Sequence, residues 1–181
     1  MKKDLLLGLV VLLILAAFLL TTDFQTVDQF YLTHMEDITP DSDTVTVAIV
    51  CVEAVKNPGR LDETLLERLP EDGVILPETT YVLRPGDTVL DLLIRTARYN
   101  RIPLEYQGAG ANVLGTAYVQ GIGYLYEFSC GTGSGWVYSV NGVFPGCGCS
   151  EYALSPGDRV VWQYTCDFGR DVGALQEGGG S

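Results

Sequence analysis

The stretch TVLDLLIRTARYN, residues 88–100, decides how the rest of the chain is read. Val89, Leu92, Leu93, Thr96 and Ala97 fall on one stripe at the helical period. Thr88 and Asp91 have the spacing of a capping box, and Arg95 and Arg98 stand where the helix dipole favours cations. Asn100 and then Ile102-Pro103 mark the end. On either side the pattern is that of strands. Upstream, Val45, Val47, Ile49 and Cys51 alternate, and a second strand-like stretch covers Val74–Leu83. The segment between them, PGRLDETLLERLP, reads as a connection with a short helix at Leu61–Leu69, closed by a turn at Pro70–Gly73. Downstream, strands are expected at Leu104–Tyr106, Gly123–Phe128, Gly135–Val140 and Arg159–Thr165, with glycines separating the first two. Asn141-Gly142 is a hairpin-turn signal. Two strands, one helix and then several strands imply an α+β fold, a mixed sheet with one main helix on one face. This is a β-grasp-like layout, in which the first and last strands lie parallel at the centre. Here that sets Val45–Val52 beside Val160–Thr165.

The chain begins with a different kind of segment. Residues 5–20 contain only Leu, Ile, Val, Ala, Phe and one Gly, and Thr21 and Thr22 prolong the run without charge. About eighteen helical residues span about 27 Å, close to the hydrocarbon thickness of a bilayer. Lys2 and Lys3 precede the run and Asp23 and Asp28 follow it, so the positive-inside bias directs everything after residue 22 outward. No small-x-small triplet ends the run, which favours an uncleaved signal anchor at residues 1–22 over a removable signal peptide; cleavage would make the protein secreted. Residues 23–43, with six acidic and no basic side chains, suit a stalk. The folded domain is expected at 44–173 and a flexible tail at 174–181, ending in GGGS.

Beyond residue 20 there are nine basic and twenty-two acidic residues, a net charge near −13. Such a surface lacks the basic face that phosphate contacts need, which excludes nucleic acid as a partner. The same acidity keeps the domain soluble and away from anionic lipid. His34, the only histidine, falls in the stalk, so a Cys-His or Ser-His nucleophile is not available to the domain. No carboxylate pair has the spacing of an acid/base couple, and Asp41-Ser-Asp43 lacks the Gly and distal Glu of a calcium loop. Cys147-Gly-Cys149 has no second Cys/His pair at zinc spacing. The expectation is therefore a domain that binds rather than catalyses, with no metal and no required cofactor.

Aromatic residues carry the remaining signal. Eleven of the eighteen lie between Tyr118 and Phe168. Trp162 and Tyr164, on the expected central strand, read as core. The residues flanking the Gly131–Phe144 region, Tyr124, Trp136, Tyr138, Asn141 and Phe144, are the candidate ligand-binding set, because aromatic rims with close-approaching glycine backbone suit a flat ligand. The shared string L-x-P-G-D-x-V at Leu83–Val89 and Leu154–Val160 reads as recurring turn chemistry and not as a duplication, since one copy runs into a helix and the other into a strand.

Tyr124–Gly173 resembles a family of Gram-positive surface domains of unknown function, which is itself similar to the C-terminal domain of transcobalamin and intrinsic factor. The residues that carry the resemblance are S-G-W-x-Y-x-V-N-G at Ser134–Gly142, G-C-S-x-Y at Gly148–Tyr152, G-D-x-V at Gly157–Val160 and Y-T-C-D-x-G-R-D-V-G at Tyr164–Gly173. Gly86–Val89 also fits. The resemblance implies a small-molecule ligand, a corrinoid foremost, handed on to a membrane importer. The chain lacks the helical barrel with which the animal carriers enclose cobalamin, so at most half of such a site is implied. The rival expectation is a cell-envelope module that recognises a surface protein or glycan and takes no small molecule. Cys147 stands where similar domains carry an aromatic residue, which implies that it is the unpaired thiol among five cysteines.

An extracytoplasmic domain with five cysteines is expected to hold disulfides. Adjacent parallel strands lie about 4.8 Å apart, within disulfide reach, which makes Cys51 and Cys166 candidates for one bond. Cys130 and Cys149 bracket the Trp136 hairpin and are candidates for the second. Two bonds among five cysteines allow fifteen arrangements, so other pairings stay open.

Overall fold

The computed structural model describes residues 38–111 and 115–175. The anchor at 1–22, most of the stalk with His34, and the end of the tail lie outside the described residues. Among the described residues no helix is long and apolar enough to cross a membrane.

The fold is α+β, with two sheets and few helices. In chain order the elements are β1 (Thr44–Val50), α1 (Val52–Lys56), α2 (Glu63–Leu66), β2 (Val74–Val82), α3 (Val89–Tyr99), β3 (Leu104–Gln107), β4 (Tyr118–Ile122), β5 (Leu125–Tyr126), β6 (Gly135–Val140) and β7 (Arg159–Thr165), with short 3-10 turns at Pro58–Arg60 and Ala109–Ala111. The larger sheet has the order β2-β1-β7-β6. Its centre is the parallel pair β1/β7, with Val47 opposite Val160 and Ile49 opposite Trp162. β2 and β6 flank this pair in antiparallel fashion.

Period-two alternation selects one buried face. Val45, Val47 and Ile49 share it with Val160, Trp162 and Tyr164 across the parallel pair, and with Trp136, Tyr138 and Val140 on β6. All nine side chains are buried. The stripe of α3 closes on the same core: Val89, Leu92, Leu93, Thr96 and Ala97 are buried, and Asn100, just past the helix, donates its side-chain amide to the Tyr81 hydroxyl at 2.7 Å. The capping box forms as expected, with the Asp91 amide donating to Thr88 Oγ1 and the Thr88 amide donating to the Asp91 carboxylate. Arg95 reaches back to Asp87 at 2.6 Å, both side chains nearly buried.

The chain departs from the sequence reading in the middle. In place of one mixed sheet there is a second, three-stranded sheet, β3-β4-β5. The expected strand over Gly123–Phe128 is only Leu125–Tyr126, and the longer strand lies earlier, at Tyr118–Ile122. The cause is local. Gly123 and Tyr124 both take positive φ (61° and 68°), which makes them the turn of a hairpin and not the start of a strand. Near the start of the chain, the short helix runs over Glu63–Leu66 only, capped by Asp62, and α1 is a further helix that the strand pattern does not signal.

The two P-G-D strings fold alike. In each, the first residue's carbonyl accepts from the aspartate amide (Arg84 from Asp87, 3.0 Å; Ser155 from Asp158, 3.1 Å), while the aspartate carboxylate accepts from the first residue's amide at 2.8 Å. Gly86 and Gly157 supply the positive φ at the third position, 82° and 85°. The repetition is therefore one turn used twice.

Candidate functional site

A cavity of about 440 Å³ opens where the second sheet meets β6 and β7. One wall is the residue pair preceding β4 together with its first half, Thr116 to Val119. A second is aromatic, from Trp136, Tyr138 and Trp162 on the core face of the larger sheet. The third is the loop Phe144–Cys149, and Ala174 and Leu175 complete the lining. Ala174, which the sequence reading assigns to the tail, is tied down by the hydrogen bond its amide donates to the Gly169 carbonyl at 2.7 Å.

The 144–149 loop is held from three directions. The Tyr138 hydroxyl donates to the Cys147 carbonyl at 2.9 Å. The Leu90 amide, in the first turn of α3, donates to the Cys149 carbonyl at 2.9 Å. Ser150 Oγ accepts from the Ala117 amide and bonds to Thr116 Oγ1, both at 3.0 Å. That last contact requires glycine at 148, since a Cβ there would stand 1.7 Å from Thr116 Oγ1.

The aromatic wall is rigid as well as apolar. Tyr138 packs against Trp162 with ring centroids 5.4 Å apart and edge-on against Tyr152 at 6.4 Å. Trp136 meets Tyr164 edge-on at 5.3 Å and donates its indole N–H to the Leu125 carbonyl at 2.8 Å. The Tyr164 hydroxyl donates to the Tyr126 carbonyl at 2.6 Å, so these two rings fasten the small sheet to the large one.

Burial governs the titratable groups of the wall. It raises Tyr138 far above the ordinary phenol range, helped by the contact with Cys147. Burial, with the Glu127 carboxylate accepting from the hydroxyl at 2.5 Å, pushes Tyr118 up to about 12. Cys149 rises to about 11, chiefly by burial. All three are neutral at pH 7, and among the described residues no Asp, Glu, Lys, Arg or His lines the cavity.

Of the five residues expected to bind a ligand, the structure brings three together: Trp136, Tyr138 and Phe144 line the cavity. Asn141 does not. It takes positive φ (54°) in the turn after β6, donates to Asp158 at 2.8 Å and accepts from the Arg159 amide at 2.9 Å, so its side chain is used to set that turn. Tyr124 is also elsewhere, half exposed on the β4–β5 turn with the Arg68 guanidinium 5.4 Å above its ring. Trp162 and Tyr164 are core as expected, but Trp162 is also cavity wall. The sequence reading missed Thr116 to Val119, because the strand they lead into was placed one turn too late. Among the described residues no group of three or more His, Cys, Asp or Glu could hold a metal ion.

All five cysteines are free thiols, so neither expected disulfide is formed. The register explains the first. Val50 lies opposite Gln163, which levels Cys51 with Tyr164 and leaves Cys166 two residues further along its strand. The side-chain neighbour of Cys166 is instead Cys130, and burial together with that contact raises the Cys166 thiol strongly. Cys149 belongs to the cavity, where its thiol points to the Ala117 carbonyl at 3.7 Å, away from Cys130 in the turn before β6. Cys147 is exposed.

Residues 86–166 match the model of a family described as Domain of unknown function (DUF4430). The match runs from the turn before α3 to the end of β7 and so takes in most of the cavity. It is to a family of unknown function and brings no similarity to transcobalamin or intrinsic factor. No curated protein matches the chain.

Proposed function

We propose that the domain is an extracellular ligand-binding module, held at the cell membrane by residues 5–22, and that the 440 Å³ cavity is its site. The observation that carries this is the cavity itself: a concave, aromatic-walled space within the usual range of about 300–1,000 Å³ for ligand pockets, with its loop held from three sides. Binding is favoured over catalysis because burial keeps the wall's phenols and the Cys149 thiol protonated at pH 7, and among the described residues no histidine or carboxylate lines the cavity to act as a base. The strand order β2-β1-β7-β6, with its parallel centre and one main helix, supports a β-grasp-like assignment and with it the resemblance to the vitamin-carrier domain. A corrinoid handed to a membrane importer is the specific ligand and role we infer from that resemblance. A whole corrinoid is larger than the cavity, so what enters is one edge of it.

The full chain titrated with cobalamin tests this, because Cys147 lines the cavity and is the one exposed thiol among the five. Bound ligand should slow iodoacetamide alkylation of Cys147 and give a calorimetric signal. Neither effect would remove the corrinoid. A second reading, an envelope module for a protein or glycan, is favoured by a separate observation: Tyr106, Tyr124, Tyr126, Phe128 and Phe168 are all at least 40% exposed.

A further inference from the structure

The hydrogen-bond inventory of the cavity wall narrows what it accepts. Most of its strong donors are already committed within the chain. Trp136 donates to Leu125, Tyr138 to Cys147 and Tyr118 to Glu127. Even the weaker Cys149 thiol has the Ala117 carbonyl. Trp162 is different. It lines the cavity, is 2% exposed, and its indole N–H has no acceptor among the described residues. Buried indole N–H groups are normally paired, and one left unpaired costs stability. Among the described residues no charged side chain lines the space, so a ligand that brought a charge would lose its hydration without a described side chain to replace it.

We infer that the cavity takes an uncharged, flat ring bearing a hydrogen-bond acceptor, and that the indole N–H of Trp162 selects it by donating to that acceptor. The inference rests on the cavity being a ligand site. The ring packs on the wall made by Tyr138 and Trp162, whose own rings touch with centroids 5.4 Å apart and planes tilted by 38°. A carbonyl or ring nitrogen on its edge then supplies the acceptor. The indole nitrogen is buried, so the indole or the atoms that cover it must shift for the bond to form. The acceptor is worth about tenfold in affinity, the usual return for pairing a buried donor. A saturated or fully apolar ring forgoes that gain.

The test uses two probes of one shape, 1-tetralone and tetralin, which differ in a carbonyl. With the full chain, 1-tetralone should bind about tenfold more tightly than tetralin. Trp162→Phe keeps an aromatic face and removes the donor, and should abolish the preference for 1-tetralone over tetralin, the ratio and not either affinity being what is read. The chain has two tryptophans, so the wild-type spectrum holds two indole N–H resonances. 1-Tetralone should move that of Trp162 downfield relative to its position with tetralin bound, as a new hydrogen bond does, a readout that stands even if the variant fails to fold. Equal affinities for the two probes, or a Trp162 resonance in the same place with both, overturn the selection by Trp162 and leave the cavity reading intact. Binding of neither probe overturns both.

Discussion

Gly148→Ala tests whether the cavity loop sits where the hydrogen bonds put it. The new methyl would meet Thr116 Oγ1 at 1.7 Å and its Cβ and Cγ2 at 2.6 Å, whereas ordinary contact begins near 3.4 Å. The loop or the 116 segment must therefore move by more than an ångström. That distance takes Ser150 Oγ out of reach of both the Ala117 amide and Thr116 Oγ1, two bonds now at 3.0 Å. At about 1 kcal/mol each, with some strain left over, the loss is about 2–3 kcal/mol. For a domain of this size that lowers the thermal midpoint by about 8–10 °C. Differential scanning calorimetry of the full chain reads it directly. Gly148→Ala combined with Thr116→Gly, which removes all three clashing atoms, should melt no lower than Thr116→Gly alone, because the clash is gone and only the Thr116–Ser150 bond stays lost. A single variant that melts within a degree of wild type would show that residue 148 and Thr116 are not in contact, and the cavity's third wall would go with them.

Three further outcomes follow from the same coordinates. Tyr164→Phe leaves the Tyr126 carbonyl without the hydroxyl that donates to it at 2.6 Å and should cost about 1–3 kcal/mol by denaturant titration; no change would mean that the two sheets are joined elsewhere. Stability in the presence of reductant should fall from about pH 9 to about pH 11, because Cys51 and Cys149 titrate from an unfolded value of 9.0 but are raised to about 11 by burial in the folded chain. Over that interval the unfolded state alone sheds protons, and a midpoint flat between pH 8 and 11 would contradict the burial of both thiols. Mild oxidation with glutathione disulfide should link Cys130 to Cys166, two thiols becoming one disulfide as the oxidant is reduced; non-reducing peptide mapping that finds Cys51–Cys166 or Cys130–Cys149 instead would show the side-chain neighbours to be misassigned.

What was legible in the sequence was what periodicity and turn chemistry encode locally. The helix over 88–100 with its capping box, the strands at 135–140 and 159–165 and the two P-G-D turns come directly from residue patterns. The parallel centre also followed, because few layouts seat two strands, a helix and a returning strand together. The second sheet was not legible. Its strands are short and separated by glycines, and a positive φ at Tyr124 cannot be read from a tyrosine, which ordinarily avoids that region. The site suffered for the same reason: one of its three walls comes from residues 116–119, whose strand the pattern concealed. Asn141 was misread in the opposite sense, since the turn-forming tendency that marks Asn-Gly accounts for all of its side-chain bonds.

The way in which the two sheets meet explains why the cavity falls where it does. Trp136 and Tyr164 reach across to carbonyls of the short β5 strand, which fixes the near end of the small sheet against the large one. The far end, at residues 116 and 117, has no such ring beneath it and is held instead by Ser150 from the 144–149 side. Two layers joined by large side chains at one end and by a small hydroxyl at the other leave a gap at the second, and Gly148 lets the backbone approach closely enough for that hydroxyl to bridge it. The aromatic side chains of Tyr138 and Trp162 face the gap because they continue the buried face of the large sheet past the point where the small sheet still covers it. The same alternation that builds the core therefore supplies the wall of the cavity. Shrinking Tyr138, at the rim of this wall, should spare folding more than shrinking Trp136 or Tyr164, where both sheets depend on the ring.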